Sequence, residues 1–108
     1  MTEDHTDRIR KLNDQARQSF TGCRVFITPG IQALDDIDAV MCKVQQFDEF
    51  TPDNDPYGEH DFGSFRHNGD TVFWKWDYFD LDLQMHSPDA SDPAVTARVL
   101  TVMLADEY

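Results

Sequence analysis

Apolar residues recur along the chain in two helical stripes. In the first stripe, Ile9, Leu12 and Ala16 follow one another at spacings of three and four residues, and charged residues fill the positions between them. A second stripe of the same spacing covers residues 35–47, and aspartates cluster in its first turn, where they complement the helix dipole. The pattern therefore predicts helices at about 4–20 and 35–47.

Segments rich in β-branched and aromatic residues predict strands. A short segment of this kind covers residues 23–28 and ends at a Pro-Gly pair. Residues 61–67 and 71–78 flank Asn68-Gly69, and this dipeptide strongly favours a two-residue hairpin turn. We therefore predict three strands here, two of which form a hairpin.

The second hairpin strand has two unlike faces. Trp74 and Trp76 lie two residues apart and share one face, which we assign to the core. Phe73 and Phe79 share the other face, and with Phe65 they form an apolar patch if no helix covers that side of the sheet. Such a patch marks a protein-interaction surface, either for a foreign partner or for a second copy of the chain.

The last third of the chain completes the predicted fold. Residues 81–85 are expected to return as a further strand, and residues 93–106 to form a last helix, because Asp92-Pro93 is a favourable helix start and apolar residues follow at helical spacing. The predicted order is α-β-α-β-β-β-α. This is an α+β fold in which helices pack on an antiparallel sheet.

The length of 108 residues suits one domain. We assign residues 1–22 to an N-terminal helix and residues 23–108 to a core of sheet and helices.

No apolar run approaches the roughly 20 residues that a membrane span needs, and the polar start lacks a signal-peptide core. With two widely spaced cysteines, these features predict a cytoplasmic protein.

Charge adds a strong constraint, because 21 acidic and nine basic residues give a formal charge of -12. Nucleic acids and anionic membranes are bound through clustered Lys and Arg, so this balance argues against both as direct ligands. Most of the excess lies in two stretches without a base, 48–61 and 77–92. The excess either keeps the protein soluble or forms a surface for a basic partner.

The second interpretation defines a candidate partner surface. On a strand, Asp80 and Asp82 would stand about 6.7 Å apart, which is of the order of the spacing of successive phosphates. The residues assigned to this surface are Asp48, Glu49, Asp53, Asp55, Glu59, Asp61, Asp77, Asp80 and Asp82, with Phe73 and Phe79 as apolar anchors.

The loop between the second helix and the hairpin offers an alternative. Asp53, Asp55, His60 and Asp61 could supply oxygen and imidazole ligands to a divalent cation, and Glu59 could act as a base in a metal-assisted hydrolase. The calcium-loop pattern is incomplete here. The same residue types also cap turns in ordinary loops. No nucleophile motif accompanies the loop, so an enzyme is the less favoured interpretation, and no other cofactor is expected.

Three segments carry a resemblance to a known family. The longest is the run FTPDNDPYGEHDFG at residues 50–63, and residues 73–78 and 92–105 are similar too. Over about residues 24–108 the chain resembles a bacterial domain-of-unknown-function family of short proteobacterial proteins, often carried on plasmids or other mobile elements. The resemblance implies a setting in the conflict between mobile DNA and its host, and it implies no catalytic residue.

Charge and resemblance together predict a small acidic interaction module. Its partner would be a basic, nucleic-acid-binding protein such as a restriction or CRISPR-type effector. The module would inhibit that partner by imitating the charge of nucleic acid. A homodimer formed through the apolar sheet face is the competing expectation.

Overall fold

Helices and strands follow one another along the residues that the computed structural model describes, 4–108. The first three residues of the predicted N-terminal segment lie outside this range. The helices are α1 (His5–Ser19), α2 (Pro29–Gln32) and α3 (Ile37–Gln46), the strands are β1 (Arg24–Ile27), β2 (Phe62–His67), β3 (Asp70–Phe79) and β4 (Ala97–Leu104), and a 3-10 turn spans Ala105–Glu107.

The strands form one sheet in the order β1-β4-β3-β2. β4 pairs antiparallel with β3, placing Val102 opposite Trp74 and Leu100 opposite Trp76. β1 pairs parallel with β4. The sheet is therefore mixed. The predicted α+β class is confirmed, and the prediction of a purely antiparallel sheet is wrong, because β1 joins β4 at the far end of the chain rather than the hairpin.

The core lies between the helices and one face of this sheet. Trp74 is fully buried and Trp76 nearly so, which confirms their assignment to the core. Ala16 of α1, Ile31 of α2 and Val44 of α3 belong to the same buried cluster. All three α-helices therefore pack on the Trp74 side, which we call the helix side.

The prediction of a last helix is wrong, because residues 97–104 form the central strand β4. β4 pairs on both edges, and five of its eight residues are buried. A central strand buried on both faces has an almost continuous apolar sequence, which periodicity alone does not separate from a buried helix. The Asp92 carboxylate accepts a hydrogen bond from the Ala94 N–H at 2.9 Å, so the predicted helix start forms a capped turn instead.

The strand predicted at residues 81–85 is also absent, and these residues form a turn. The Asp80 N–H donates to the Met85 carbonyl at 2.8 Å, and the Asp80 carboxylate accepts from the Gln84 N–H at 3.0 Å. Only the bridge between Phe79 and His86 continues the ladder. Aspartate caps tight turns through its carboxylate, and here that local bonding replaces strand pairing.

The other predicted elements are confirmed within a few residues. The hairpin turns at Asn68 and Gly69, whose φ angles of 50° and 87° are those of a turn with two left-handed residues. The four-residue α2 was not predicted. None of the described helices is long and apolar enough to cross a membrane.

A carboxylate near the end of the chain holds α2 against β4. Glu107 accepts hydrogen bonds from the Thr28 hydroxyl at 2.6 Å, the Gly30 N–H at 3.0 Å and the Leu104 N–H at 2.9 Å. The Thr28 hydrogen bond, followed by that from Leu104, lowers the pKa of Glu107. This contact fixes the start of α2 to the end of the sheet.

Gly63 provides a test of the core. It lies opposite Trp74, and a Cβ atom at this position would overlap the indole ring. We expect Gly63→Ala to lower the free energy of unfolding by about 1–3 kcal/mol, as overpacked cores do. Urea unfolding followed by circular dichroism measures this change. Ser64→Ala, at the exposed neighbouring position, is the control and should change stability by less than about 0.5 kcal/mol.

Candidate interaction surface

The sheet face opposite the helices carries aromatic side chains, and we call it the open face. Phe73 and Phe79 of β3 lie on it, as predicted, together with Phe62 of β2 and Phe26 of β1. Phe26 is 54% exposed. Tyr108 contacts Phe62 and Phe73 edge-on, with ring centroids 6.4 and 5.8 Å apart, and is itself largely exposed.

The centre of the open face is mostly apolar. Val99 and Met103 are buried here between neighbouring strands. An ion pair crosses the region, between the Lys75 ammonium and the Asp77 carboxylate at 3.1 Å, and both side chains are more than one-third exposed. The open face thus combines aromatic anchors with the Lys75–Asp77 pair, and the register also places the exposed Arg24 and Arg66 on this face.

Phe65 does not belong to this surface. It lies opposite Val72 on the helix side, with the Lys43 ammonium 5.9 Å from the centre of its ring. The two-residue turn of the hairpin already implies that Phe65 pairs with Val72, so the sequence could have placed Phe65 on the helix side. Phe26 and Phe62 were missed, although Phe26 alternates with Val25 and Ile27 of the core cluster.

The turn after β3 adds further exposed apolar side chains. Leu81 and Met85 are 62% and 71% exposed, and Leu83 is exposed by more than one-third. They follow Phe79 directly along the chain. Exposed apolar residues grouped next to an aromatic sheet face are typical of a surface that binds a partner.

The predicted acidic residues do not form one array. Asp55 is buried and accepts from the His60 N–H at 3.1 Å, while Glu59 accepts from the Tyr78 hydroxyl at 2.9 Å. Asp77 pairs with Lys75, and Asp80 caps its turn. The carboxylates at exposed positions are those of Asp48, Glu49, Asp53 and Asp82. Asp80 and Asp82 do not lie on a strand, so the strand geometry from which their phosphate-like spacing was predicted is wrong.

Asp61 lies in a part-buried position where β2 begins. Its carbonyl accepts from the Trp76 N–H at 2.9 Å. Burial raises the pKa of its carboxyl group, and the charges of Glu59 and Asp55 raise it further. Loss of solvation and repulsion by neighbouring carboxylates therefore both destabilise the deprotonated form of Asp61.

The motif at residues 50–63 fastens α1 to the sheet. The Arg10 guanidinium donates to the Gly58 carbonyl at 2.9 Å. The Asn13 amide donates to the Glu59 carbonyl at 3.0 Å and to the Tyr78 hydroxyl at 2.8 Å. Burial raises the pKa of Tyr78, so its hydroxyl keeps the proton that it donates to Glu59. These contacts give the motif at residues 50–63 a structural role, which is to join α1 to the sheet.

His60 occupies the centre of this arrangement. Its ring stacks on Phe50 with centroids 3.7 Å apart, its Nδ1 lies 2.9 Å from Asp14, and its Nε2 lies 3.6 Å from Asp55. The contact with Asp14 is within hydrogen-bond distance, whereas the contact with Asp55 is an ion-pair distance only. The ring nitrogens of His60 thus face Asp14 and Asp55.

The structure does not gather the predicted metal ligands. Asp53 is exposed on the loop, and the carboxylate nearest to His60 belongs to Asp14, which no sequence pattern indicated. Among residues 4–108, no group of three or more His, Cys, Asp or Glu side chains is arranged to hold a metal ion. Glu59, the predicted base, is engaged by Tyr78.

Fold and surface together define an acidic α+β domain in which the α-helices of residues 4–108 pack on one face of the sheet. The chain belongs to the family described as Protein of unknown function (DUF3768), which matches residues 27–107. The expected membership of a domain-of-unknown-function family is confirmed. The comparisons with curated proteins and with solved structures gave no match.

The raised pKa of Asp61 gives a stability prediction. A carboxyl group whose pKa is higher in the folded than in the unfolded state destabilises the fold progressively as pH rises from its ordinary value to the raised one. We expect Asp61→Asn to raise the melting temperature at pH 7 and to have no such effect at pH 3, where both states are protonated.

Thermal unfolding between pH 3 and pH 7 measures this difference. Asp53→Asn, in the exposed part of the same loop, removes the same charge and should leave the pH dependence unchanged. An equal shift of the melting temperature at both pH values would contradict the proposed cause.

Proposed function

We propose that this protein is an acidic interaction module whose open face binds a basic, nucleic-acid-binding protein. The observation that carries the proposal is the one-sided sheet, in which the described α-helices pack on the face opposite Phe26, Phe73 and Phe79. A sheet face of this composition supplies the apolar centre that protein interfaces require.

The aromatic side chains would provide most of the binding energy. Large aromatic residues dominate the energetics of interfaces because each buries a large area at a small loss of conformational freedom. Phe26 and Tyr108 are the most exposed of the group, at 54% and 76%. They are therefore the residues that a partner would cover most completely.

The charge of the chain favours a basic partner over a second copy. Each copy carries a formal charge of -12, so two copies repel one another at long range. Asp77 lies on the open face, and Asp82 lies in the turn that follows it. The face itself carries Arg24, Arg66 and Lys75, so the attraction of a basic partner comes from the net charge of the whole chain, which speeds association.

Nucleic-acid-binding proteins are a partner class whose binding surfaces are strongly basic. In our proposal the module inhibits such a protein in the cytoplasm, in the manner of anti-restriction or anti-CRISPR proteins carried by mobile elements. In this proposal the net negative charge attracts the partner at long range while the aromatic face binds it. The carboxylates do not form a row spaced like phosphates.

The proposal is tested with variants of the exposed aromatic residues. Proteins captured from a bacterial lysate at low salt are identified and purified, and their affinity is measured by calorimetry. We expect Phe26→Ser and Tyr108→Ser each to weaken binding about tenfold or more, as interface anchors do. Affinity should fall steeply between about 0.05 and 0.5 M salt.

Tyr57→Ser is the matched control, because Tyr57 is 75% exposed and belongs to the loop against α1. It should leave the affinity unchanged. Equal losses in all three variants, salt-independent binding, or a partner without a basic surface would overturn the proposal. Dimerisation abolished by Phe26→Ser in sedimentation would support the competing homodimer.

A further inference from the structure

Three titratable side chains form a line of contacts between α3 and β2. The His67 ring lies in the middle and is 6% exposed, with its Nε2 2.7 Å from the Asp36 carboxylate and its Nδ1 2.8 Å from the Lys43 ammonium. Because an ammonium group only donates, Nδ1 accepts, and the proton of the neutral ring is on Nε2, where it faces Asp36. A further charged group, Asp70, lies opposite His67 in the hairpin register and is exposed.

The Asp36 carboxylate serves this contact rather than its own helix. Asp36 occupies the N-cap position of α3, where an aspartate commonly accepts a hydrogen bond from the first turn. Its side chain makes no such bond and accepts from His67 and from the Asn68 amide instead. The hydrogen bond from His67 is the main cause that lowers the pKa of Asp36. The ionised carboxylate therefore fixes the tautomer and the orientation of the ring.

Lys43 has different polar contacts from Lys75. Lys75 forms an ion pair with Asp77 at 3.1 Å, whereas none of the ion pairs within residues 4–108 includes Lys43. Besides His67, the Lys43 ammonium contacts the Arg66 carbonyl at 3.5 Å. A nearby carboxylate stabilises the charged form of a lysine. Lys43 lacks such a partner in the described chain and faces a base.

Lys43 also lines a cavity of about 270 Å³ between the end of α3 and β2. Phe47 and Phe65 line the same cavity, so part of its wall is aromatic. The Phe65 ring lies 5.9 Å from the ammonium, near the outer limit of a cation–π contact. Asp48 and Glu49 line the cavity as well and are exposed. The cavity thus offers an apolar wall beside the amine, and its carboxylates disfavour an anionic ligand.

We propose that Lys43 is a nucleophilic amine that binds an aromatic aldehyde or ketone covalently, with His67 as its base and Asp36 as the group that orients His67. A nucleophile within hydrogen-bond distance of a base, which a third group orients in turn, is the arrangement that activates weak nucleophiles. The aromatic part of the ligand would lie against Phe47 and Phe65.

The reaction is a condensation that forms an imine. His67 Nδ1 takes a proton from the Lys43 ammonium, and Asp36 stabilises the imidazolium. In free side chains the ammonium is the weaker acid by about four pKa units, so the neutral amine is a minor species from which the reaction proceeds. The amine attacks the carbonyl carbon, and the π electrons of the C=O bond move to oxygen. The oxygen receives one proton from His67 and a second from the nitrogen, and it leaves as water. A protonated imine remains, and no further reactant is needed.

This site lies apart from the proposed partner surface. Phe65 and His67 are on the helix side, whereas Phe62 and Phe73 belong to the open face. The sheet therefore separates the cavity from the aromatic anchors. Either proposal can fail without affecting the other.

Reductive trapping tests the proposal on the full chain. The protein is incubated at pH 7 with benzaldehyde and sodium cyanoborohydride, and labelled lysines are quantified by peptide mass spectrometry. We expect Lys43 to be labelled at least about tenfold faster than Lys75, the reference in the same molecule, as general-base assistance provides. The ratio should be larger with benzaldehyde than with acetaldehyde, because only the aromatic probe packs against Phe47 and Phe65.

Two variants distinguish assistance by His67 from simple accessibility of the amine. His67→Gln removes the base, and Asp36→Asn, at a less buried position, removes the charge that stabilises the imidazolium. Each should bring the labelling ratio of Lys43 to Lys75 close to one. Asp36→Asn should also raise the pH at which Lys43 reaches half its maximal rate, because proton transfer to His67 becomes less favourable. Circular dichroism verifies that each variant is folded.

Asp35→Asn is the matched control, because Asp35 is the exposed neighbour of Asp36 and loses the same charge. It should leave the ratio and the pH profile unchanged. Equal labelling of Lys43 and Lys75 in the parent chain would refute the proposal. So would a ratio that Asp36→Asn and Asp35→Asn change alike, or one that is the same for both aldehydes.

Discussion

The register between β3 and β4 determines which side chains enter the core and which lie on the open face. Trp74 opposite Val102 and Trp76 opposite Leu100 direct both indoles into the helix layer. Because side chains alternate along a strand, the same register directs Phe73 to the opposite face. A shift by one residue would exchange the two sets. The core, the open face and the direction of Arg98 thus depend on a single alignment.

A layer of buried polar groups holds α1 in place over the helix side of the sheet. Arg17, 1% exposed, donates to the Val44 carbonyl at 2.7 Å and lies 4.9 Å from the centre of the Trp74 ring. One turn earlier, Asn13 joins the loop at Glu59 to Arg98. Polar groups buried in this way stabilise a fold only when their partners are in place. The motif at residues 50–63 supplies several of those partners.

Local sequence signals predicted α1, α3 and the hairpin, because spacing within a few residues determines each of them. They did not predict β4, since a strand buried on both faces has the composition of a buried helix. The contact between Asp14 and His60 joins residues far apart in sequence, and no local pattern reports it. The carboxylates were expected to form one surface, but several accept hydrogen bonds from other parts of the chain. This role could not be predicted from the sequence, because the donors are known only from the structure. Phe73 and Phe79 were correctly placed by alternation alone.

The position of β4 has a consequence for the order in which the chain acquires structure. β4 occupies the middle of the sheet, yet it is the last strand in the sequence, and β1 has no other strand to pair with. Contacts between distant segments form slowly, because a long loop must close first. During synthesis, β1 and the hairpin must therefore wait as separate pieces with exposed edges. They can join into one sheet only after β4 has been synthesised.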